Sequence, residues 1–364
     1  MARVQKIRFK IITILFLVAL VLPNVIQISG LEKDLNNNEN RKYQNFPKIN
    51  IKKPIKTIGN IKNYYLENFG LKTTLVNAYI NFKLNILKES PIPNRLVIGK
   101  NNWLFLGNEY NNTLNDSYGN DSFTSKELTA TVKYIKGLHD YFKSVGVSFY
   151  LVIPPDKDHV YQEYLPYTLE QNITKLNTLK HTLKSTSDVN IIDLSIPLLE
   201  NKKKKQLYLK TDSHWNYFGS YYSYNYLIDI LNKDYNINKV PLKDFILKEQ
   251  PYYDGDLQKM INKSDVELTQ QISKREKSKI EIINYTETTL HIKNKANTLK
   301  LMLHRDSFTN AWIPFLNESF GEIIYYKRYT INKQEIEAFK PDLVIFEIVE
   351  RNIDMFGNTD LYKN

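Results

Sequence analysis

The feature that most constrains the fold of this 364-residue chain is an alternation of amphipathic helical patterns with short apolar runs. Thr124 and Glu127 have the spacing of a capping box, and apolar residues then recur every three or four positions as far as Gly146, which predicts a helix. The next residues, 147–153, form a nearly continuous apolar run, as in buried parallel strands. A helix therefore leads directly into a buried strand, as is typical of α/β proteins.

The same alternation continues along the chain. Further strands are predicted at 189–194, 299–303, 322–326 and 342–348, and further helices at 173–183, 217–231 and 308–320, with a short helix after 326. This order predicts an α/β fold with a mostly parallel sheet and helices on both faces. The pattern at 96–105 predicts a hairpin, and the segment 235–297, which fits the alternation least, is interpreted as an insertion near the functional site.

The N-terminus has the pattern of an export signal. Four basic residues among the first ten precede an apolar run over 11–22 that only Thr13 interrupts, and weaker apolar character extends it to Ile28. This length approaches the roughly 20 residues that a membrane-spanning helix needs, and no small-residue cleavage site follows. We expect a single-pass signal anchor in the cell membrane, inserted through residues 11–28, with the remaining chain extracytoplasmic. A cleaved signal peptide is the alternative.

These patterns divide the chain into four predicted segments. Residues 1–29 form the anchor, and residues 30–60, rich in Asn and Lys, form a linker. Residues 61–90, with a helical pattern over 64–87, form a helical lead-in to one domain at 91–364. With 42% hydrophobic residues, a chain of this length can bury one sizeable core.

The charge distribution argues against nucleic acid as a partner. The net charge is +11, but residues 1–60 carry 11 Lys and Arg against 3 Asp and Glu, which accounts for +8 of it. The predicted domain is nearly neutral, whereas a nucleic-acid binder carries its basic surface on the folded domain. The lysine cluster at 202–205 is interpreted as a solvated loop. The absence of cysteine excludes disulfides and a cysteine nucleophile.

Two short segments supply an acid, a base and a nucleophile. Asp212 and His214 are two residues apart, so in an extended stretch their side chains project to the same side, where the carboxylate can hold the imidazole. Ser307 lies between a predicted strand and a predicted helix, the turn at which α/β hydrolases expose a nucleophile. On these residues alone, a packed histidine and a helix-capping serine are the alternative interpretation.

Several motifs in one order extend this pattern. They are the hairpin segment 97–106, the Ile-Pro-Pro-Asp-Lys run at 153–157, the Asp-Ser-His-Trp segment at 212–215, the Tyr-Asp-Gly-Asp-Leu segment at 253–257, the Asp-Ser-Phe segment at 306–308 and the run 340–351. Together they resemble the AlgJ/AlgX family of polysaccharide O-acetyltransferases over roughly residues 60 to 355. The resemblance implies an SGNH hydrolase-like three-layer α/β/α fold. One departure is Arg305, where the family usually has glycine.

The resemblance also implies roles for individual residues. Ser307 would be the nucleophile, His214 the base and Asp212 the carboxylate that orients the base. Asp306 adjoins the nucleophile and is expected to be a turn residue that also faces the substrate.

Three further residues are candidates for substrate binding. Lys157 and Arg351 sit at the carboxyl ends of predicted strands, the edge at which open α/β sheets bind ligands. Each could orient a polysaccharide, and the alternative for both is a solvated charge or a buried ion pair. Trp215 could stack on a sugar or pack beneath the loop that carries His214.

The function implied by the resemblance is O-acetylation of an extracellular polysaccharide through a serine acetyl-enzyme. Neither a metal nor a cofactor is expected. Acetyl-CoA is not expected outside the cell, and the resemblance implies that a membrane-bound O-acyltransferase delivers the acetyl group. Two alternatives remain, a carbohydrate esterase in which water is the acceptor, and an inactive polysaccharide-binding assembly subunit, which Arg305 motivates.

Overall fold

The structure is a computed structural model that describes residues 2–29, 45–168, 173–276 and 279–357. The chain forms two compact units, residues 1–91 and 92–364. In the first unit, helix α1 covers Ala2–Ser29, α2 covers Pro54–Asn68, and α3 covers Lys72–Asn81 and continues as a π-helical turn over Phe82–Leu87. Within the described residues, α1 is the helix that is long and apolar enough to cross a membrane.

The helices of the first unit differ from the predicted ones in two respects. Residues 30–44 of the predicted linker lie outside the described residues, but the end of that segment is helical because α2 begins at Pro54. The helical pattern at 64–87 is divided between α2 and α3. The break occurs where Leu71 takes a left-handed backbone conformation, with φ of 63°, which a continuous α-helix does not allow.

The second unit contains the strands β1 (Leu96–Ile98), β2 (Leu104–Leu106), β3 (Ser148–Ile153), β4 (Asn190–Asp193), β5 (Phe245–Tyr252), β6 (Glu267–Lys274), β7 (Ile280–Tyr285), β8 (Thr289–Asn294), β9 (Lys300–His304), β10 (Glu322–Tyr326) and β11 (Leu343–Glu347). Its α-helices are α4 (Thr113–Ser117), α5 (Ser125–Ser144), α6 (Lys157–Val160), α7 (Lys175–Thr186), α8 (Ser195–Asn201), α9 (Tyr217–Leu231), α10 (Asp256–Lys259), α11 (Ile313–Ser319) and α12 (Lys333–Phe339). Short 3₁₀ turns cover Lys100–Asn102, Gln162–Tyr164, Leu242–Asp244, Phe308–Ala311 and Glu350–Gly357.

The main sheet has seven strands in the order β4-β3-β11-β9-β10-β8-β7. The first five run parallel to their neighbours, and β8 and β7 continue the sheet antiparallel. Two smaller antiparallel pairs, β1-β2 and β5-β6, lie outside this sheet. The structure therefore confirms an α/β fold with a mostly parallel sheet and the hairpin predicted at 96–105.

Each central strand is buried on both faces. Tyr150 and Val152 of β3 belong to one hydrophobic cluster, which includes residues of α9 and α11. Phe149 and Leu151 of the same strand belong to a second cluster, which includes residues of α5 and α7. Successive strand residues point to opposite faces, so a continuous apolar run is the pattern that such a doubly covered strand requires.

The segment 235–297, interpreted from the sequence as an insertion, contributes two strands to the main sheet. Strands β7 and β8 extend the main sheet, because β8 pairs antiparallel with β10. Strands β5 and β6 form the separate β5-β6 hairpin. The helix predicted at 308–320 also begins differently, as the 3₁₀ turn Phe308–Ala311 that precedes α11.

Candidate active site

The candidate site lies at one edge of the main sheet. Strands β3, β9 and β11 are adjacent and parallel, so their carboxyl ends meet at this edge. Lys157 follows β3, Ser307 follows β9 and Arg351 follows β11. Open parallel sheets bind ligands at this edge.

Ser307, His214 and Asp212 form a continuous hydrogen-bonded chain. The Nε2 atom of His214 lies 2.7 Å from Oγ of Ser307, and its Nδ1 atom lies 2.7 Å from Oδ1 of Asp212. Ser307 is exposed and Asp212 is buried, so the chain leads from solvent into the protein. This is the arrangement in which a histidine removes the proton of a serine while a carboxylate holds its tautomer.

The charges within this chain favour an ionised Asp212. Burial raises the pKa of the Asp212 carboxyl, but hydrogen bonds from His214 and Tyr252 outweigh burial and hold that pKa well below its usual range. Burial lowers the pKa of His214, but the hydrogen bond and the negative charge of Asp212 outweigh it and raise that pKa above its ordinary value. A base strengthened by its carboxylate partner suits proton removal from a serine.

A narrow loop holds Asp212 and His214 in place. Tyr208 pairs with Trp215 in an antiparallel bridge, and the Leu209 N–H donates to the carbonyl of His214 at 3.3 Å. The Trp215 indole donates to the carbonyl of Phe308 at 3.0 Å, which ties the loop to the residue after the nucleophile. Trp215 is 3% exposed and contacts the ring of Phe308. It therefore packs beneath the loop and is not open for sugar stacking.

Lys157 supports the same loop from inside. Its ammonium donates to the carbonyls of Leu209, Lys210 and Asp212 at 3.1, 3.2 and 2.7 Å, and the side chain is buried. Burial lowers the pKa of Lys157 to about 8. Its placement differs from the predicted contact with substrate, because its three donors point at loop carbonyls.

The β5-β6 hairpin adds two residues to the site. Tyr252, the last residue of β5, donates its hydroxyl hydrogen to Oδ2 of Asp212 at 2.7 Å. Glu267, the first residue of β6, accepts from the backbone N–H groups of Lys210 and Thr211 at 2.8 and 3.0 Å and from the Thr211 hydroxyl at 2.9 Å. The paired ends of one hairpin thus hold both the carboxylate and the residues before it.

The segment that connects β5 to β6 closes against the same loop. The backbone N–H of Asp256 donates to Oδ2 of Asp212 at 3.2 Å, and the N–H of Ser213 donates to Oδ1 of Asp256 at 2.7 Å. A Cβ atom at Gly255 would overlap with the carbonyl oxygen of Thr211. Glycine at this position therefore permits the close approach of the two segments.

The turn that carries Ser307 is bound to the end of β11. The Asp306 N–H and the Thr309 hydroxyl both donate to Oε2 of Glu347, at 3.0 and 2.7 Å. In return, the Asp306 carboxylate accepts from the N–H of Val349 at 2.8 Å and from that of Phe308 at 2.8 Å. Asp306 therefore fixes the turn, in agreement with its expected structural role, and its side chain is engaged by backbone donors.

Residues 96–325 match the protein family described as SGNH hydrolase-like domain, acetyltransferase AlgX. The chain belongs to this family. The probable alginate O-acetylase AlgJ of Pseudomonas putida is 26% identical over 184 residues, which is 50% of this chain and 44% of AlgJ. The chain thus spans less than half the length of that relative. These findings confirm the AlgJ/AlgX resemblance.

Two solved structures agree with the fold. Bacillus cereus PatB1 has a TM-score of 0.54 at 19% identity, over 70% of this chain and 97% of PatB1. A DHHW family protein from Eubacterium siraeum has a TM-score of 0.50 at 15% identity, over 64% of this chain and 90% of that protein. At such identities the likeness concerns the fold alone.

Arg305, the departure from the AlgJ/AlgX pattern, is accommodated beneath the nucleophile turn. Its backbone lies outside the left-handed region, so the position does not require glycine for its conformation. The buried guanidinium donates to the carbonyl of Asp306 at 2.9 Å and to Oδ1 of Asn310 at 2.6 Å. Arg305 therefore braces the turn of this AlgX-type domain.

Arg351 is held as a partly exposed cation beside the nucleophile turn. Its guanidinium pairs with Asp156, its backbone N–H donates to the same carboxylate at 2.8 Å, and its guanidinium carbon lies 5.8 Å from the ring centroid of Phe308. Burial lowers the pKa of Arg351, but Asp156 outweighs burial and keeps the guanidinium charged. The ion pair with Asp156 agrees with the alternative interpretation of Arg351 as a paired charge. The partly exposed guanidinium can still contact a substrate.

Asp212, His214 and Asp256 are also the group of potential metal ligands within the described residues, with ligand atoms within 4.8 Å of one another. The atoms that would coordinate a cation already bond within the protein, since Asp212 accepts from His214 and Asp256 accepts from Ser213. We therefore assign this group to the triad and its support.

Sequence reasoning missed Tyr252, Glu267 and Glu347 as parts of the site. The first two lie 40 and 55 residues beyond Asp212, and strand pairing brings them to the loop, so no local spacing points to them. The sequence did contain a signal for Glu347, which ends an apolar strand. A carboxylate buried there is shielded from water and requires a hydrogen-bond donor from the protein.

Proposed function

We propose that this chain is an O-acetyltransferase that modifies a polysaccharide through an acetyl-enzyme on Ser307. The observation that carries the proposal is the pair of 2.7 Å hydrogen bonds joining Ser307, His214 and Asp212. Membership of a family described as acetyltransferase supports the reaction class. The name alginate O-acetylase, given to the AlgJ relatives, supports a polysaccharide as acceptor.

In the first step, His214 takes the proton of Ser307 as Oγ attacks the carbonyl carbon of an acetyl donor. Among the described residues, none accepts a hydrogen bond from the backbone N–H of Ser307, so this donor is free to stabilise the oxyanion. The protonated His214 then gives its proton to the leaving group as the donor bond breaks.

In the second step, a sugar hydroxyl replaces the leaving group. His214, neutral again, takes the hydroxyl proton, the sugar oxygen attacks the acetyl carbon, and Ser307 leaves with the proton returned by His214. Asp212 stays ionised throughout and stabilises the imidazolium. In this proposal Arg351, whose guanidinium lies beside the ring of Phe308, orients the sugar or the donor.

The proposed extracytoplasmic location of the domain rests on α1 as a membrane anchor. We propose that α1 is an uncleaved signal anchor, that residues 30–60 connect it to a helical segment at 61–90, and that the SGNH-like domain at 91–364 works outside the cytoplasm. Val4–Ser29 has the length and apolar composition of a membrane span. A membrane-bound O-acyltransferase would then supply the acetyl group to Ser307. No cofactor enters this scheme.

The test uses the full chain in lipid nanodiscs with an activated acetyl ester and a panel of oligosaccharides. Wild type should gain the mass of one acetyl group and pass it to one class of sugar. Ser307→Ala should gain none, whereas Ser122→Ala, an exposed serine of another loop, should behave as wild type.

The other outcomes separate the rival functions. Release of free acetate at the same rate with and without sugar would make the protein a carbohydrate esterase. Neither adduct nor turnover from a folded sample would contradict both enzymes and favour a polysaccharide-binding assembly subunit.

A further inference from the structure

Helix α3 carries an exposed apolar stripe. Leu75, Tyr79, Phe82 and Ile86 follow one another at spacings of four, three and four residues and are 50, 50, 51 and 68% exposed. Such spacing places side chains on one face of a helix. Ile80 and Leu84 are buried on the other side of the helix. The α3 segment therefore has apolar residues on two faces, of which only the face with Ile80 and Leu84 is buried.

Helix α2 shows the same property. Ile55 and Ile58 are 86 and 67% exposed, and Leu66 is 50% exposed. Large exposed apolar patches on a folded protein mark a surface that contacts another apolar phase or partner. The two helices together therefore present an apolar surface that the rest of the first unit leaves open.

The charges around this surface are almost all positive. Residues 45–90 contain eight lysines and only two acidic residues, Glu67 and Glu89. Lys72 and Lys83 pair with the two acids, Lys72 with Glu67 at 3.8 Å and Lys83 with Glu89 at 2.9 Å, which leaves the other six lysines as the excess positive charge. Lysines of this kind extend along an apolar surface and place the charge beside anionic headgroups.

Contacts within the first unit hold these helices at one end of α1. The turn between α2 and α3 packs on α1, since a Cβ atom at Gly70 would overlap with the carbonyl oxygen of Pro23 and would lie 2.9 Å from the backbone nitrogen of Gln27. Pro23 is buried, whereas most side chains of α1 before it are exposed. The turn therefore lies at the carboxyl-terminal end of the proposed membrane span.

We propose that α2 and α3 lie flat in the headgroup region of a membrane with anionic lipids, on the side where α1 emerges. The stripe of α3 inserts among the acyl chains, and the lysines contact the lipid phosphates. This inference rests on the proposed anchor, because α1 brings the two helices to the membrane surface. The apolar surface therefore contacts lipid, and the experiment below distinguishes this contact from coverage by a protein partner.

The absence of native cysteine allows single probes to be placed cleanly. Leu75→Cys, Phe82→Cys and Ile86→Cys place a nitroxide on the stripe, and Asn81→Cys places one at an exposed position of α3 outside the stripe. Each full-length variant is reconstituted in vesicles of phosphatidylglycerol and phosphatidylcholine. Spin relaxation by oxygen, which partitions into lipid, is compared with relaxation by a water-soluble nickel chelate. The oxygen-to-nickel ratio should be several-fold higher at the stripe than at Asn81.

A Val18→Cys probe in α1 reports on the anchor separately. High oxygen accessibility at Val18 with high nickel accessibility along the stripe would leave the anchor standing and overturn this inference. A stripe inaccessible to both reagents would mean that protein covers it, which also overturns the inference. Nickel accessibility at Val18 would contradict the anchor itself. In vesicles of phosphatidylcholine alone the stripe ratio should fall, and an unchanged ratio would refute the role of the lysines.

Discussion

Tyr252 affects the negative charge that Asp212 presents to His214, the proposed catalytic base. Its hydroxyl donates to Oδ2 of Asp212, while His214 bonds Oδ1 of the same carboxylate. Burial and this hydrogen bond raise the pKa of Tyr252 well above its usual range, so the phenol remains a donor at every working pH. A donor on Oδ2 draws negative charge away from the side of Asp212 that faces His214.

Tyr252→Phe should lower kcat/KM and move its acid limb to higher pH. Without the phenol, the full charge of Asp212 acts on the imidazolium, so the pKa of His214 rises further and the neutral base is lost sooner as pH falls. A hydrogen bond to a charged group contributes about 1.5–3 kcal/mol, so we expect a loss of roughly tenfold or more. The measurement is a pH profile of acetyl transfer.

Tyr253→Phe is the matched control, since Tyr253 is the exposed neighbour of Tyr252. It should leave both the rate and the acid limb unchanged. An acid limb that stays in place in Tyr252→Phe, even with a reduced rate, would mean that Tyr252 acts only on folding.

Individual site residues could be predicted from the sequence where a local pattern identified them. Asp212 and His214 are two residues apart and Ser307 follows an apolar strand, and the structure brings these three together. Burial decided the cases of Trp215 and Lys157, whose side chains point into the protein. Whether a tryptophan or lysine beside a catalytic loop faces solvent depends on packing from distant elements, which local sequence does not contain.

The β5-β6 hairpin holds the loop of residues 206–215, which carries Asp212 and His214, in its conformation. Glu267 accepts four hydrogen bonds, from the side chain of Gln206, the backbone of Lys210, and the backbone and hydroxyl of Thr211. Two of these donors bond Oε1 and two bond Oε2. The carboxylate therefore fixes residues 206–211, which precede Asp212 directly.

Glu267→Gln should weaken this support. A glutamine amide nitrogen cannot accept hydrogen bonds, so two of the four donors lose their acceptor. Leaving such donors unpaired costs about 1–3 kcal/mol of the free energy of unfolding. We also expect kcat to fall more than KM rises, because the loop orients the base and not the sugar. Urea unfolding and steady-state kinetics measure the two effects.

Glu249→Gln serves as the comparison, because Glu249 is an exposed carboxylate of the same hairpin. Its unfolding midpoint and kcat should match those of wild type. Equal losses in the two variants would show that the hairpin responds to its overall charge and not to the bonds of Glu267.

Helices and strands were predictable where a local sequence pattern, such as a capping box or an apolar run, defined them. The capping box at Thr124 starts α5, and the left-handed Gly146 follows its end, as the sequence indicates. The apolar runs of β3, β9, β10 and β11 were recognised because both faces of each strand are covered. β7 and β8 were not assigned, since residues of β7 such as Ile282 are exposed at the sheet edge and the alternation of α/β units ends there.

At the scale of the whole molecule, the buried ammonium of Lys157 makes the free energy of unfolding depend on pH. Lys157 is 4% exposed, and burial lowers its pKa to about 8, whereas an unfolded lysine has a pKa near 10.4. Between these two values the unfolded chain binds a proton that the folded chain does not. The contribution of Lys157 to the free energy of unfolding must therefore increase with pH in this window.

Comparison of wild type with Lys157→Met isolates this contribution, because all other titrating groups are shared. Below pH 8 the wild-type ammonium is charged and bears the full cost of burial, which its three carbonyl partners only partly offset. From pH 8 to 10 the difference in free energy of unfolding, wild type minus variant, should grow by about 2 kcal/mol. Lys203→Met, which removes an exposed lysine, should give a difference that does not change with pH. A flat difference for Lys157→Met would mean that the hydrogen bonds to Leu209, Lys210 and Asp212 keep the buried amine charged up to pH 10.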